Sequence, residues 1–173
     1  MPTESSPTTS YQLPITLFVL IGIQGSGKST WARANAGRLN AVIVASDEIR
    51  NELEAAGMDA MGLSDHVFAI LEERVARLLD QGRSVIVDAT HARRSWRQNV
   101  LDIARKRRVR RVAVWFDLPL EAVKQRNLLK PGGDWGNRVI PEDLLLNFWH
   151  DFEPPGAGEF DEVLKPTLEE LGM

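Results

Sequence analysis

A glycine-rich stretch directly after an apolar run carries the clearest chemical pattern in the sequence. Gly22 is followed by four residues and then by Gly27, Lys28 and Ser29. Glycines at these positions let the backbone curl its N–H groups toward an anion, because side chains would fill the space that phosphates need. The lysine then reaches the outer phosphates, and the neighbouring hydroxyl is a ligand for Mg²⁺. The pattern predicts a P-loop that binds a nucleoside triphosphate, ATP or GTP, with Mg²⁺.

The residues around this pattern support the same chemistry. A helix that starts near Ser29 presents free N–H groups and the positive end of its dipole to the same anion. The competing interpretation, a structural glycine turn, leaves the apolar strand before the loop and the helix after it as coincidences. The predicted nucleotide-binding residues are Gly22, Gln24, Gly25, Ser26, Gly27, Lys28, Ser29 and Thr30.

A carboxylate and an arginine follow the next apolar run. The run 41–45 ends in Ser46 and Asp47, where a loop facing the ligand is expected. A carboxylate beside bound phosphates can take the proton from an attacking hydroxyl, and Arg50, three residues later, can bind an anionic acceptor. The structural alternative is that Ser46 or Asp47 caps the helix and Arg50 is a solvated residue.

These side chains need a scaffold that brings them to one edge, and the hydrophobic pattern predicts one. Helical patterns alternate with apolar, β-branched runs, and the clearest helix places Val67, Leu71 and Val75 on one face. Repeated βα units predict an α/β fold, a doubly wound and mainly parallel sheet with helices on both faces and ligands beyond the carboxyl ends of the strands. The predicted strands are residues 15–21, 41–45, 84–87, 109–116 and 160–164.

Composition limits the organisation of the chain. The sequence has 173 residues, a formal charge of −3, 43% hydrophobic and 26% charged residues, and no cysteine. This length favours one domain, predicted over residues 15–173, and the Thr-, Ser- and Pro-rich residues 1–14 predict a disordered tail. The longest apolar run, residues 15–23, is too short to span a bilayer. We therefore expect no membrane association and a cytoplasmic location.

Other P-loop classes lack their signatures in this sequence. A GTPase needs a guanine-reading Asn-Lys-x-Asp stretch, and an ABC-type ATPase needs a Leu-Ser-Gly-Gly signature; neither occurs. An AAA-type motor also needs a helical lid domain, for which too few residues remain. The small size favours a nucleotide-kinase-like P-loop protein with a short lid, and the choice between ATP and GTP stays open.

The sequence resembles the 5′-hydroxyl polynucleotide kinase family and its small bacterial P-loop relatives. The resemblance begins in residues 22–33, continues in residues 46–50, and extends to residues 87–91, 124–127, 139–141, 152–155 and 160–163. It implies an ATP- and Mg²⁺-dependent kinase. It also implies that Asp47 is the general base, that Arg50 holds a phosphate of the acceptor, and that a lid arginine stabilises the transferring phosphoryl group.

The third predicted strand departs from that family. Polynucleotide kinases end this strand in Asp-Thr-Asn, whereas here the order is Asp88-Ala89-Thr90-His91. By this comparison Thr90 and His91 take the place of acceptor-binding residues. Asp88 is a candidate to hold Mg²⁺ through a bound water, with a strand-terminal turn as the alternative.

The lid is the second departure. Residues 131–136 are rich in glycine and predict a mobile lid. Arg126 and Arg138 are the predicted catalytic cations, since a forked guanidinium matches phosphate oxygens. The alternative is that they are solvated residues at helix ends. The place where the family often carries another arginine holds Lys130.

A dense basic cluster leaves the acceptor open. Residues 93–111 contain nine cations and a single acid, Asp102. Such a cluster can follow a nucleic-acid backbone, with Trp96 as a stacking surface, or it can be a solvated face on which Trp96 packs. Three hypotheses follow: a 5′-hydroxyl polynucleotide kinase, a small-metabolite kinase, and a nucleotide-binding regulatory or toxin-like protein with weak turnover. The nine cations are Arg93, Arg94, Arg97, Arg105, Lys106, Arg107, Arg108, Arg110 and Arg111.

Overall fold

A five-stranded parallel sheet forms the centre of the structure, a computed structural model that describes residues 14–167 and 169–171. The strand order is β2-β3-β1-β4-β5, and every neighbouring pair is parallel. The predicted tail lies outside the described residues except for its last residue. The strands are β1 (Thr16–Ile21), β2 (Ala41–Ala45), β3 (Ser84–Asp88), β4 (Arg110–Trp115) and β5 (Glu162–Leu164).

Helices connect the strands and cover both faces of the sheet. Pro119 and Pro141 lie immediately before α5 and α6, where a missing N–H leaves no helical hydrogen bond unmade. The α/β fold predicted from the sequence, a parallel sheet with helices on both faces, is confirmed. The helices are α1 (Lys28–Asn35), α2 (Ser46–Ala55), α3 (Ser64–Asp80), α4 (Arg94–Lys106), α5 (Leu120–Leu128) and α6 (Glu142–His150), with one 3₁₀ turn at Trp135–Asn137.

The central strand β1 is buried along its whole length because both of its faces are covered. Alternate side chains point to opposite faces of a strand. Leu17, Val19 and Ile21 pack in a core that also contains residues of α2, α3 and α4. Phe18 and Leu20 pack on the other side with residues of α1, α5 and α6. This two-sided burial explains why the strand is a continuous apolar run.

Strand register brings the candidate residues to the same edge of the sheet. Ala45 at the end of β2 pairs with Asp88 at the end of β3, so that Asp47 and Asp88 leave adjacent strands. Gly22 follows the end of β1, which pairs with both β3 and β4. The carboxyl ends of the strands therefore form the site. Within the described ranges, no helix is long and apolar enough to cross a membrane.

Candidate active site

The P-loop has the backbone geometry that its glycines were predicted to provide. Gly25 and Gly27 have φ angles of 85° and 96°, in the left-handed region that other residues rarely adopt. A Cβ added at Gly22 would lie 2.7 Å from Ser26 Oγ and 2.9 Å from the Cβ of Phe116. The loop leads directly into α1, and the first backbone N–H groups of that helix point back toward the loop. This geometry forms an anion-binding cradle.

Lys28 is buried and held by the loop itself. Its ammonium donates hydrogen bonds to the carbonyl oxygens of Gly22 at 2.8 Å and Ile23 at 2.9 Å. Burial lowers the pKa of Lys28 to about 8, against the opposing effect of the carboxylates of Asp88 and Asp47. The charge of Lys28 is therefore balanced by two acids at the same edge of the sheet. The ammonium must exchange its carbonyl partners for phosphate oxygens when a nucleotide binds.

Asp47 is half-buried in the first turn of α2. Burial raises the pKa of Asp47, although the positive charges of Arg50 and Lys28 act in the opposite direction. No side chain caps α2 by a hydrogen bond, so the capping role considered for Ser46 or Asp47 is not seen. A carboxylate with a raised pKa is a better proton acceptor, so Asp47 remains the candidate general base.

The donors at this edge fit Mg²⁺ as P-loop proteins bind it. Ser29 lies in the first turn of α1, and Asp88 ends β3. Hydroxyl and carboxylate oxygens are ligands that Mg²⁺ prefers, and the ion commonly keeps waters and substrate phosphates in its coordination sphere. In residues 14–167 and 169–171 no group of three or more His, Cys, Asp or Glu residues forms a metal site. Ser29 and Asp88 would therefore hold the ion together with phosphate oxygens and water.

Helix α5 runs across the P-loop and brings Arg126 to it. A Cβ added at Gly25 would lie 3.1 Å from the backbone oxygen of Val123, and one at Gly27 would lie 3.0 Å from Arg126 Nη2. The same guanidinium donates from Nη1 to the carbonyl oxygen of Leu171 at 3.0 Å. Arg126 thus occupies a position from which a cation can reach bound phosphates.

Arg138, the second predicted catalytic cation, makes its contacts with α2 and with residues 133–135. Its Nη2 donates to Glu54 Oε2 at 3.0 Å and its Nε donates to the carbonyl oxygen of Gly133 at 3.1 Å. Its guanidinium also covers the ring of Trp135, 4.4 Å from the ring centroid. Glu54 is seven residues after Asp47 on α2, which is about 10 Å along a helix. Arg138 is therefore engaged by Glu54 in this structure, and its catalytic role stays a prediction.

Lys130 is a site residue that the sequence predictions omitted. Burial lowers the pKa of Lys130, while the carboxylate of Asp47 acts to raise it. The charge of Lys130 also adds to the lowering of the Lys28 pKa that burial causes. Lys130 therefore lies near both the candidate base and the P-loop lysine. Lys130 follows the end of α5, at the place where the polynucleotide kinase family often carries an arginine, and that correspondence is the signal that could have identified it.

His91 cannot contact an acceptor in this structure. Its side chain is fully buried, and its Nδ1 lies 3.3 Å from the carbonyl oxygen of Leu20 in β1. Burial lowers the pKa of His91 to about 4, so the imidazole is neutral at pH 7. The assignment of His91 to acceptor binding is therefore wrong, because the loop after β3 buries this ring against Leu20 of β1. Thr90 stays half-buried at the loop.

The basic cluster is not a single surface. Helix α4 separates Arg93 and Arg94 from the cations after residue 104 by about 20 Å, the length of a 13-residue helix. Arg110 and Arg111 begin β4 and so lie at the end of the sheet opposite to the P-loop. Six of the nine cations pair with carboxylates: Arg93 with Asp151, Arg97 with Glu159, Arg105 with Asp102, Arg107 with Asp80, Arg110 with Glu162, and Arg111 with Asp161.

Trp96 makes packing contacts, although 38% of its surface stays exposed. Its ring makes an edge contact with Phe148, with 6.1 Å between ring centroids, and the guanidinium of Arg93 lies 5.1 Å from its centroid. The packing alternative considered for Trp96 describes these contacts.

Arg97 is buried and has a structural role. Its guanidinium donates to the carbonyl oxygens of His91 at 2.9 Å, Glu153 at 3.0 Å and Pro154 at 3.0 Å. It also donates twice to the carboxylate of Glu159, at 2.5 and 3.0 Å. These bonds tie the loop after β3 to residues 153–159. Arg97 therefore supports the loop that follows Asp88 rather than binding a ligand.

Comparison with known proteins places this chain among P-loop proteins. The AAA_33 family model, described as an AAA domain, matches residues 17–153. The L-seryl-tRNA(Sec) kinase of Methanococcus maripaludis is 23% identical over 163 residues, which cover 90% of this chain and 60% of that protein. The chain thus spans about three fifths of the length of this curated relative.

Solved kinase structures share the fold. A structure of the Pnkp1/Rnl/Hen1 RNA repair complex matches with a TM-score of 0.67 and 24% identity, over 84% of this chain and 46% of that one. The APS kinase CysC of Mycobacterium tuberculosis, in complex with AMPPNP and APS, matches with a TM-score of 0.58 and 18% identity, over 92% of this chain and 99% of that one. At these identities the likeness concerns the fold.

Proposed function

Because this chain belongs to the AAA_33 family of AAA domains and has the fold of P-loop kinases, we propose that it is a kinase that transfers the γ-phosphoryl group of ATP to a hydroxyl group. In this proposal residues 15–173 act as one kinase domain. The described residues after α6 add the short strand β5 and turns, without the helical lid domain of an AAA motor. Transfer rather than motor activity is therefore the function we propose.

One observation carries the proposal: the half-buried carboxylate of Asp47 lies at the same edge of the sheet as the P-loop and Lys28. The carboxylate accepts the proton of the acceptor hydroxyl as its oxygen attacks the γ-phosphorus. A new O–P bond forms, the bond from the γ-phosphorus to the bridging oxygen breaks, and ADP leaves with the electron pair. Asp47 has the raised pKa that suits this role, because burial disfavours its charged form.

The remaining residues position the phosphates and balance their charge. The backbone N–H groups of the P-loop and the ammonium of Lys28 bind the β- and γ-phosphates, and Arg126 and Lys130 stabilise the charge on the transferring group. Ser29 and Asp88 would hold Mg²⁺, which neutralises charge on the phosphate oxygens when it is bound. Thr90 follows β3 and Arg50 lies in α2, so both belong to the edge of the sheet where the acceptor would bind.

Two acceptor classes remain, and different observations favour them. The resemblance to 5′-hydroxyl polynucleotide kinases favours a polynucleotide, and both a tRNA kinase and an RNA repair complex are among the similar proteins. The cations of residues 93–111 lie at the two ends of α4, and most of them pair with carboxylates. This arrangement favours a small metabolite instead. A polynucleotide would need a continuous cationic path, and the described surface does not offer one along residues 93–111.

A transfer assay tests the proposal. The wild-type protein is incubated with γ-labelled ATP and Mg²⁺ and offered 5′-hydroxyl DNA, 5′-hydroxyl RNA, nucleosides and sugars. Label in one acceptor class, lost in Asp47→Asn, supports the proposal and identifies the acceptor. ATP binding without transfer to any acceptor would favour the regulatory alternative, and undiminished transfer by Asp47→Asn would exclude Asp47 as the base.

A further inference from the structure

The segment between α5 and α6 packs against α2 through its 3₁₀ turn. We call residues 131–138 the lid. The backbone N–H of Trp135 donates to Asn51 Oδ1 at 3.0 Å, and Arg138 forms its ion pair with Glu54. Asp134 caps the 3₁₀ turn by accepting from the backbone N–H of Asn137. The lid is therefore fixed at both ends of its turn to the helix that carries Asp47 and Arg50.

Arg50 depends on the lid for its position. Its guanidinium is half-buried near Asp47, yet among the described residues it has no carboxylate within ion-pair distance. Its hydrogen bond there is a long one, to Ser64 Oγ at 3.4 Å. Its strongest support is the face of Trp135, whose centroid lies 5.2 Å from Arg50 Cζ. Most of its N–H donors thus remain available to a ligand.

Trp135 also contacts a second arginine. The guanidinium of Arg138 lies over the ring, 4.4 Å from its centroid, and Glu54 in turn pairs with Arg138. The indole therefore contacts two guanidinium groups, and one of them is tied to a carboxylate of α2. Because two guanidinium groups lie over the ring, Trp135 does not offer a free ring surface to a base. Its position serves the arginine next to the base.

The lid also passes close to the candidate base. A Cβ added at Gly136 would lie 4.0 Å from Asp47 Oδ2. Two positive φ angles, 83° at Gly132 and 100° at Gly133, turn the chain into this path. The lid backbone therefore borders the space in which an acceptor hydroxyl must meet Asp47.

We propose that Trp135 is a positioning residue that holds Arg50 for an anionic acceptor, so that this lid serves acceptor recognition more than nucleotide binding. The inference rests on the kinase function proposed above. An anionic acceptor is the class that fits, because Arg50 offers free guanidinium donors beside Asp47 and a forked guanidinium matches phosphate or carboxylate oxygens.

Steady-state kinetics with the acceptor found in the transfer assay test this role. Trp135→Ala is expected to raise the KM for the acceptor about tenfold, the size expected for a partly buried cation–π contact. The KM for ATP and kcat should change less than about twofold, and Trp135→Phe should recover most of the loss because it keeps a ring face. Leu129→Ala is the control, since this neighbouring apolar side chain is 82% exposed. An unchanged acceptor KM, or a loss confined to kcat, would overturn the inference.

Hydrogen exchange separates this inference from the proposed function. The amide of Trp135 is protected by Asn51 Oδ1, and we expect it to exchange faster in Trp135→Ala and in Asn51→Ala but not in Leu129→Ala. The absence of transfer by the wild-type protein to every acceptor would refute the kinase function. Unchanged exchange over residues 132–138 in Trp135→Ala would refute the contact between lid and α2, whatever the activity.

Discussion

Replacing Arg97 with alanine is expected to lower the free energy of unfolding by about 3–5 kcal/mol, the usual loss when one partner of a buried ion pair is removed. The side chains of Arg97 and Glu159 are 0% and 9% exposed. The substitution leaves the Glu159 carboxylate buried without a cation, and three backbone carbonyls, of His91, Glu153 and Pro154, lose their donors. With a urea m-value of about 2 kcal/mol/M, the unfolding midpoint should fall by about 2 M.

The matched control is on the same helix. Arg105 also pairs with a carboxylate, Asp102, but these side chains are 35% and 47% exposed. Exposed pairs contribute at most about 1 kcal/mol, so Arg105→Ala should move the midpoint by less than about 0.5 M. Arg97→Lys keeps the positive charge but loses the forked guanidinium donors, so its unfolding midpoint should lie between those of Arg97→Ala and Arg105→Ala. If Arg97→Ala destabilises the protein no more than Arg105→Ala, the network around Arg97 does not hold the loop after β3 as we describe.

Four further predictions concern the site. Lys28→Ala should weaken binding of a fluorescent ATP analogue by about ten- to a hundredfold, since a charge-assisted hydrogen bond to phosphate is lost; unchanged affinity would contradict the P-loop assignment. Asp47→Asn should lower kcat by about 10²- to 10⁴-fold while the affinity for the same analogue stays nearly constant. Because burial raises the pKa of Asp47, its charged form destabilises the folded protein above that pKa. Asp47→Asn should therefore have a higher Tm than the wild-type protein at pH 7. The difference in Tm should vanish below about pH 4, where the wild-type carboxyl is protonated in both the folded and the unfolded state. Lys130→Ala should lower kcat about a hundredfold and Arg138→Ala far less, as judged by single-turnover transfer; equal losses would contradict the placement of Arg138 at Glu54.

Local patterns allowed the fold and the phosphate cradle to be predicted from the sequence. The glycines at 25 and 27 are required by the backbone angles of their own loop, and β1 is buried on both faces, which any continuous apolar run suggests. The end of β3 was equally visible, since Asp88 is the first charged residue after its run. Such features depend on neighbours in sequence.

Other parts of the site depend on partners far away in the chain. Arg97 meets Glu159, 62 residues later, and the buried pair cannot be told from a solvated charge by reading residues 93–111 alone. Trp135 contacts Asn51 across 84 residues, and the same segment pairs Arg138 with Glu54, also 84 residues away. The sequence placed His91 at the acceptor because only the three-dimensional path of the chain reveals that its ring lies against Leu20 of β1.

The ammonium of Lys28 has a consequence for how nucleotide binding is measured. With a pKa of about 8, a sizeable fraction of the free protein carries a neutral amine in mildly alkaline buffer. A triphosphate favours the charged ammonium, so binding there takes up a proton from the medium. The binding heat measured by calorimetry at pH 8 should accordingly depend on the ionisation enthalpy of the buffer. The contribution of the buffer to that heat should be larger in Tris than in phosphate. The burial of this lysine in the free protein thus makes nucleotide capture a proton-coupled event.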